Sequence, residues 1–186
     1  MMFTVQPWPR FGIGMVIGGV MAAIYGLSAP LAGAADPADL QTLLETGTCL
    51  DCDLREADLR YLDLSGVVLR GANLEGANFF RANLTGADLA RANLRRTNFA
   101  RATMEGIVVN LADLSHSNLM EANLNRASLI GTILTQAYLE DTRLTEALLT
   151  EADMRQTKIV SADFRGADLC GAHFSYGDYR VDCPAP

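Results

Sequence analysis

From Leu54 to Phe174 a large apolar residue recurs at every fifth position, 25 times without a slip. Seventeen of the 25 are Leu; the others are Phe79, Phe99, Met104, Val109, Met154, Ile159, Phe164 and Phe174. Two residues before most of them stands a small residue, Ala in 16 of 25 cases, with Thr97, Ser117, Thr132, Thr142 and Thr157 among the rest. The position between is Asp or Asn in 15 of 25, so the consensus is Ala-(Asp/Asn)-Leu-x-x. With 49% of residues apolar, chance would give such a run on the order of one time in 10⁸.

A period of five fits neither the helix period of 3.6 nor the strand period of 2. A helix would spread the Leu positions around its whole circumference. Strict fivefold spacing requires a chain that turns a corner every five residues and points one large and one small residue inward on each short side. Stacked coils then bury those residues in a column, with backbone groups pairing between coils about 4.8 Å apart. No coil buries its inward face alone, so the array is stable only by stacking.

The segment before the repeats has a different grammar. Arg10 is the one charge in residues 1–35, Phe11 to Leu27 is apolar, and Ala32-Gly33-Ala34 follows Pro30. A basic start, an apolar middle and a small-x-small end make a secretory signal. A retained membrane anchor is the alternative, because Phe11 to Ala35 is 25 uncharged residues, long enough to span. Either way the remainder is expected across a membrane, in an oxidising compartment. Starting near Ala35 or Asp36, the chain carries 14 basic and 22 acidic residues, a net charge of −8. That balance argues against non-specific nucleic-acid binding.

Asp36 and Pro37 read as the N-cap and first residue of a short helix over 37–46. Leu40, Leu43 and Leu44 form its apolar stripe and Gly47 its stop. This helix is expected to cover the first coil, since open solenoid ends invite edge pairing. Cys49 and Cys52 join it to the repeats. Such a pair can be a structural disulfide, a redox couple or half a zinc site. The βαβ context of a redox motif is missing, and His116 and His173 lie far along the chain, so a structural disulfide is preferred and no metal is expected. Cys170 and Cys183 are the natural second pair, tying the tail over the last coil. Four cysteines allow three pairings, and spacing leaves the choice open. No phosphate loop or nucleophile–base arrangement is present, which argues against an enzyme and against any cofactor.

The in-phase motifs Ala72-Asn73-Leu74, Ala82-Asn83-Leu84, Ala87-Asp88-Leu89, Ala122-Asn123-Leu124 and Ala167-Asp168-Leu169 resemble the pentapeptide-repeat family. The resemblance implies an all-β fold, a right-handed quadrilateral β-helix with four pentapeptides per coil. The expected organisation is a signal peptide or anchor over 1–35, a capping helix and linker over 36–48, the β-helix over 49–179 and a tail over 180–186. Positions 20 apart would then stack. Phe79 would lie on Phe99, Asn78, Asn98 and Asn118 would form an outer amide ladder, and Thr97, Ser117 and Thr157 would share one interior column.

On the same reading the corner residues face outward. Residues 54–105 hold eight Arg and six acids, whereas 106–186 hold six basic residues and 11 acids. Arg81 and Arg101 share a face with Glu121 and Asp141, a gradient suited to orienting a partner. Apolar residues at outward positions mark a candidate contact surface: Phe80, Met120, Tyr138 and Val160 on one face, Val68, Val108, Leu111, Ile130 and Leu148 on another. The expected function is a non-enzymatic scaffold presenting a face to a protein partner in the periplasm or thylakoid lumen, where exported family members have a similar cap and Cys-x-x-Cys. A homodimer is left open, no nucleic acid is expected as a partner, and membrane contact is confined to an uncleaved N-terminal segment. Alternatives are a DNA mimic acting on a DNA-binding enzyme such as gyrase, as in some members of the family, and a thiol–disulfide protein using Cys49 and Cys52.

Overall fold

A computed structural model describes residues 34–175 and Cys183. The expected signal segment and most of the tail lie outside the described residues. Helix α1 runs Pro37–Thr46. Asp36 accepts the Ala38 N–H at 2.8 Å, Pro37 sits where a missing N–H costs nothing, and Gly47 ends the helix at φ 70°, donating to the Leu43 carbonyl. Leu43 is 1% exposed, and Leu40 and Ala35 pack on the same core. Two bonds dock α1 on the repeats. The Asp36 N–H donates to the Asp53 carbonyl, and the Asp39 carboxylate accepts the Asp53 N–H, each at 2.8 Å.

Beyond α1 the chain is a stack of 20-residue coils. Parallel bridges join each Asp/Asn-row residue to the one 20 positions later, from Asp53–Asn73 through Leu148–Asp168. The last of these pairings forms two short parallel strands, β1 (Asp153–Met154) and β2 (His173–Phe174). The backbone is satisfied in both directions: Leu94 N–H donates to the Asp113 carbonyl at 2.8 Å, while Asn93 N–H donates back to Ala72 at 3.0 Å. Most corners close on themselves, as Ala77 N–H does on Leu74 at 3.0 Å. From Asp51 to Gly171 every fifth residue has a positive φ. That angle at the third turn residue is the type II signature, and most of these positions are not Gly, the residue that adopts it freely.

The Leu and Ala positions make one continuous core. Phe79 and Phe99 stack with ring centroids 5.0 Å apart and planes 9° apart. Thr97, Thr132 and Thr142 are fully buried, and their hydroxyls donate to the Leu74, Val109 and Leu119 carbonyls at 3.1, 2.9 and 2.8 Å. Thr157 makes the same bond to Leu134 but is only half-buried. Ser117 is fully buried and its hydroxyl has no partner among the described residues, so the column is not uniformly satisfied.

The outer Asp/Asn row differs from the expected ladder. Its main bond is local: Oδ1 accepts the N–H two residues on, as in Asn78 to Phe80 and Asn98 to Ala100, both 3.1 Å. This Asx turn pins each corner. Rungs between coils are fewer. Asn98 donates to Asn78 at 3.1 Å, Asn93 to Asn73 at 3.0 Å and Asn83 to Asp63 at 2.9 Å, but Asn118 does not continue the ladder. Among the described residues no helix is long and apolar enough to cross a membrane.

Candidate interaction surface

The 20-residue coil decides which outward residues meet. One corner carries, from first coil to last, Arg60-Tyr61, Phe80-Arg81, Ala100-Arg101, Met120-Glu121, Glu140-Asp141 and Val160-Ser161. Tyr61 is 62% exposed and meets the Phe80 ring edge-on at 5.7 Å. The Arg81 guanidinium completes the cluster, 5.4 Å from the Phe80 centroid. Arg101 grips Glu121 of the next coil through two bonds of 2.9 and 2.8 Å. That guanidinium holds the Glu121 carboxyl below its ordinary range. Arg81 and Asp141 make no ion pair among the described residues. On the adjoining side Tyr138 and Lys158 stack, with Nζ 4.5 Å from the ring centroid. Tyr138 and Val160 are exposed, whereas Phe80 and Met120 are half-buried beside them.

The opposite corner holds the second predicted group. Leu111 is 60% exposed, and Ile130 and Leu148 are exposed as well, while Val68 and Val108 are half-buried. Gly131 leaves room for Leu111: a Cβ there would lie 2.8 Å from Leu111 Cδ2. Asn110 braces the patch, accepting from the Ser128 hydroxyl at 2.7 Å and the Ile130 N–H at 2.9 Å. Ile133, on the side that follows this corner, is 40% exposed, and the sequence reading missed it along with Tyr61. The signal was available: an apolar residue in the Asp/Asn slot, and an aromatic at a left-handed corner.

Charge elsewhere is largely neutralised at short range. Arg55, Arg60, Arg155 and Arg165 each fold back on the aspartate two residues before them, at 2.6 Å. Arg165 holds the Asp163 carboxyl down to about 2.

The fivefold bridges and corners are matched by a family model. Pentapeptide repeats, in eight copies, are found over residues 49–86, 77–108, 109–136 and 137–175. The chain belongs to the pentapeptide-repeat family. Pentapeptide-repeat proteins fold as right-handed β-helices and are generally non-enzymatic structural or interaction proteins. Among solved structures the chain is similar to HetL, a pentapeptide repeat protein involved in heterocyst differentiation regulation from the cyanobacterium Nostoc (22% identity over 70% of this chain and 86% of that one, TM-score 0.43). It is also similar to a pentapeptide repeat protein of the Arabidopsis thaliana thylakoid lumen (28%, 57% and 68%, TM-score 0.19). A third is trypsin-treated QnrB1, a plasmid-mediated fluoroquinolone resistance protein (20%, 73% and 85%, TM-score 0.32). No curated protein matches.

At the capped end of this pentapeptide-repeat stack, Cys49 and Cys52 lie at disulfide distance, with Cα atoms 5.6 Å apart. Cys170 and Cys183 do the same at 5.1 Å. Both members of the first pair are buried. The Asp39 carboxylate is close enough to complete a three-ligand group with them, a neighbour the sequence reading did not see because α1 brings it from ten residues away. Its Oδ2 already accepts the Asp53 N–H.

Proposed function

We propose that this pentapeptide-repeat protein is an exported, non-enzymatic scaffold that presents a lateral face to a protein. Its solenoid is read as a right-handed, four-sided β-helix. Bridges spaced 20 residues apart, with a turn at each fifth residue, support four sides per coil. The observation that carries the function is the corner bearing Tyr61, Phe80 and Arg81. An exposed tyrosine and a guanidinium without an ion pair among the described residues, both set against one phenylalanine ring, are the residue types enriched at protein contact sites. An isolated solvated surface has no use for their clustering. The same corner is basic in its early coils and acidic later, which supports oriented protein binding and not a continuous DNA-like acidic face. Two cysteine pairs at disulfide distance support residence in an oxidising compartment, periplasm or thylakoid lumen, with residues 1–35 as the address.

The test is a photo-crosslinking amino acid placed in the host protein at Phe80, at Leu111 or at Arg96, combined with an unreduced peptide map. The expected result is a specific protein adduct from position 80, a mature start near Ala35 or Asp36, and the bonds Cys49–Cys52 and Cys170–Cys183. Adducts from none of the three positions, an intact Met1 and four free thiols would overturn the reading.

A further inference from the structure

The charged corner has an order that the function above does not require. Read from first coil to last, its outermost column runs Tyr61, Arg81, Arg101, Glu121, Asp141, Ser161. Turned end for end, the column is its own electrostatic complement. We propose that this face binds the same face of a second copy of the chain, antiparallel, about a twofold axis crossing the stack between the levels of Arg101 and Glu121. This rests on reading the corner as a contact surface and names its occupant.

The register follows from the coil. A twofold axis in the plane of contact keeps each column facing itself and reverses its order. Arg81 then meets the partner's Asp141, and Arg101 meets the partner's Glu121. The adjoining columns agree at the same level. Ala100 opposes the partner's Met120, a small side chain against a large one, and Phe80 lies at the level of the partner's Glu140. On the Asp/Asn row, Asp58 opposes the partner's Lys158, and Asn98 opposes the partner's Asn118. Tyr61 comes against the level of the partner's Val160 and the partner's Ser161. Every contact occurs twice, as an isologous interface requires, and the symmetry closes at two copies without leading to a filament.

Charge decides the orientation and the occupant. A parallel pairing sets Arg81 on Arg81 and Asp141 on Asp141, which like-charge repulsion disfavours. Antiparallel pairing gives the two uncompensated charges of the column, Arg81 and Asp141, their partners. It also extends each Arg101–Glu121 pair, 2.8 Å within one chain, into a four-charge cluster. An acidic partner protein would satisfy Arg81 but would be repelled by Glu140 and Asp141, three coils further on.

The experiment uses the chain as isolated from cells, in mild detergent if residues 1–35 are retained, and follows self-association by sedimentation velocity. Wild type should show a monomer–dimer equilibrium that weakens as salt rises, since exposed charges are screened. Arg81→Glu and Asp141→Arg should each weaken self-association by at least about tenfold, the scale of lost close charge pairs. Mixed one to one, the two variants should recover a dimer. The new carboxylate of one chain then meets the new guanidinium of the other, and the native Asp141 of the first meets the native Arg81 of the second. Recovery on mixing cannot come from a misfolded variant. Arg91→Glu, on the opposite corner, should change nothing. A wild type that stays monomeric at every concentration, single variants that still dimerise, or a mixture that fails to recover would each overturn the pairing. Adducts from position 80 to a different protein, with a monomeric wild type, would leave the contact surface standing and remove its proposed occupant.

Discussion

Coil 71–90 and coil 131–150 bury the same row of large apolar residues and have different exteriors. Inside, Leu74, Phe79, Leu84 and Leu89 correspond to Leu134, Leu139, Leu144 and Leu149, none more than 1% exposed. Outside, the first coil carries Asn73, Asn78, Asn83 and Asp88, each bonding the turn amide two residues on. The second carries Ile133, Tyr138, Arg143 and Leu148, which cannot, and all four are exposed. The bridges run through both coils without interruption. The fold is therefore specified from within, by stacking and by backbone pairing between coils, and the Asp/Asn row is a local brace that a coil can forgo. Where it is forgone, help comes from the preceding coil: Asn125 Oδ1 takes the Thr145 N–H at 3.1 Å, as Asn110 does for Ile130. Surface identity is thus free to vary where the brace is released.

The most severe way to break the comparison is to shift its register. Deleting one residue within either coil moves every later inward side chain out of phase, and loss of the cooperative thermal transition is expected. Deleting all of 131–150 keeps the phase and should leave a cooperative, shorter solenoid by circular dichroism. Next come the interiors. Leu84→Ala and Leu144→Ala should each cost about 2–5 kcal/mol in denaturant unfolding, and a large difference between them would show that the exteriors matter to the core.

The exteriors should separate by a smaller amount and in opposite directions. Asn83→Ala loses the bonds to Thr85 and to Asp63 and should cost about 1 kcal/mol, whereas Tyr138→Asn should gain about 0.5–1 kcal/mol by restoring the brace. Loss of stability in both would mean that Tyr138 is held by more than its stack with Lys158. The smallest effect is in acid. Asp153 and Asp163 have lowered carboxyl values, chiefly through hydrogen bonds from Arg155 and Arg165, and Asp163 reaches about 2. A depressed carboxyl stabilises the fold above its unfolded value near 4 and loses that contribution as pH falls toward the folded value. Melting temperature should therefore decline between about pH 4 and 2. Arg165→Ala should flatten that decline, and Arg91→Ala, which removes an arginine with no ion pair among the described residues, should leave it unchanged.

The interior was legible because the period alone separates inward from outward residues, and the helix at Pro37–Thr46 because Asp36, Pro37 and Gly47 are strong start and stop residues. Other features left weaker traces. The left-handed corners were signalled only by the in-phase glycines, such as Gly66 and Gly71, while Arg91 and Leu111 adopt the same φ without announcing it. The rung expected between Asn78 and Asn98 is present, but a repeat predicts only that they stack, not that their carbonyls also turn to an amide two residues away. Asp39 joined the cysteines only once α1 had docked. The meeting of Tyr61 with Phe80 depends on a coil of 20 residues, and the period of five does not contain that number.

The constant separation of bridged residues also has a kinetic meaning. Each coil added to the stack closes the same length of chain, 20 residues at every level, so the entropic cost of closure does not grow as the solenoid lengthens. Pairing the first two coils is the slow, nucleating event, and every later coil is propagation on a ready template. Hydrogen exchange should follow the reverse course, with amides at the ends of the stack opening first and those near Leu94 and Leu114 exchanging only when the whole array comes apart.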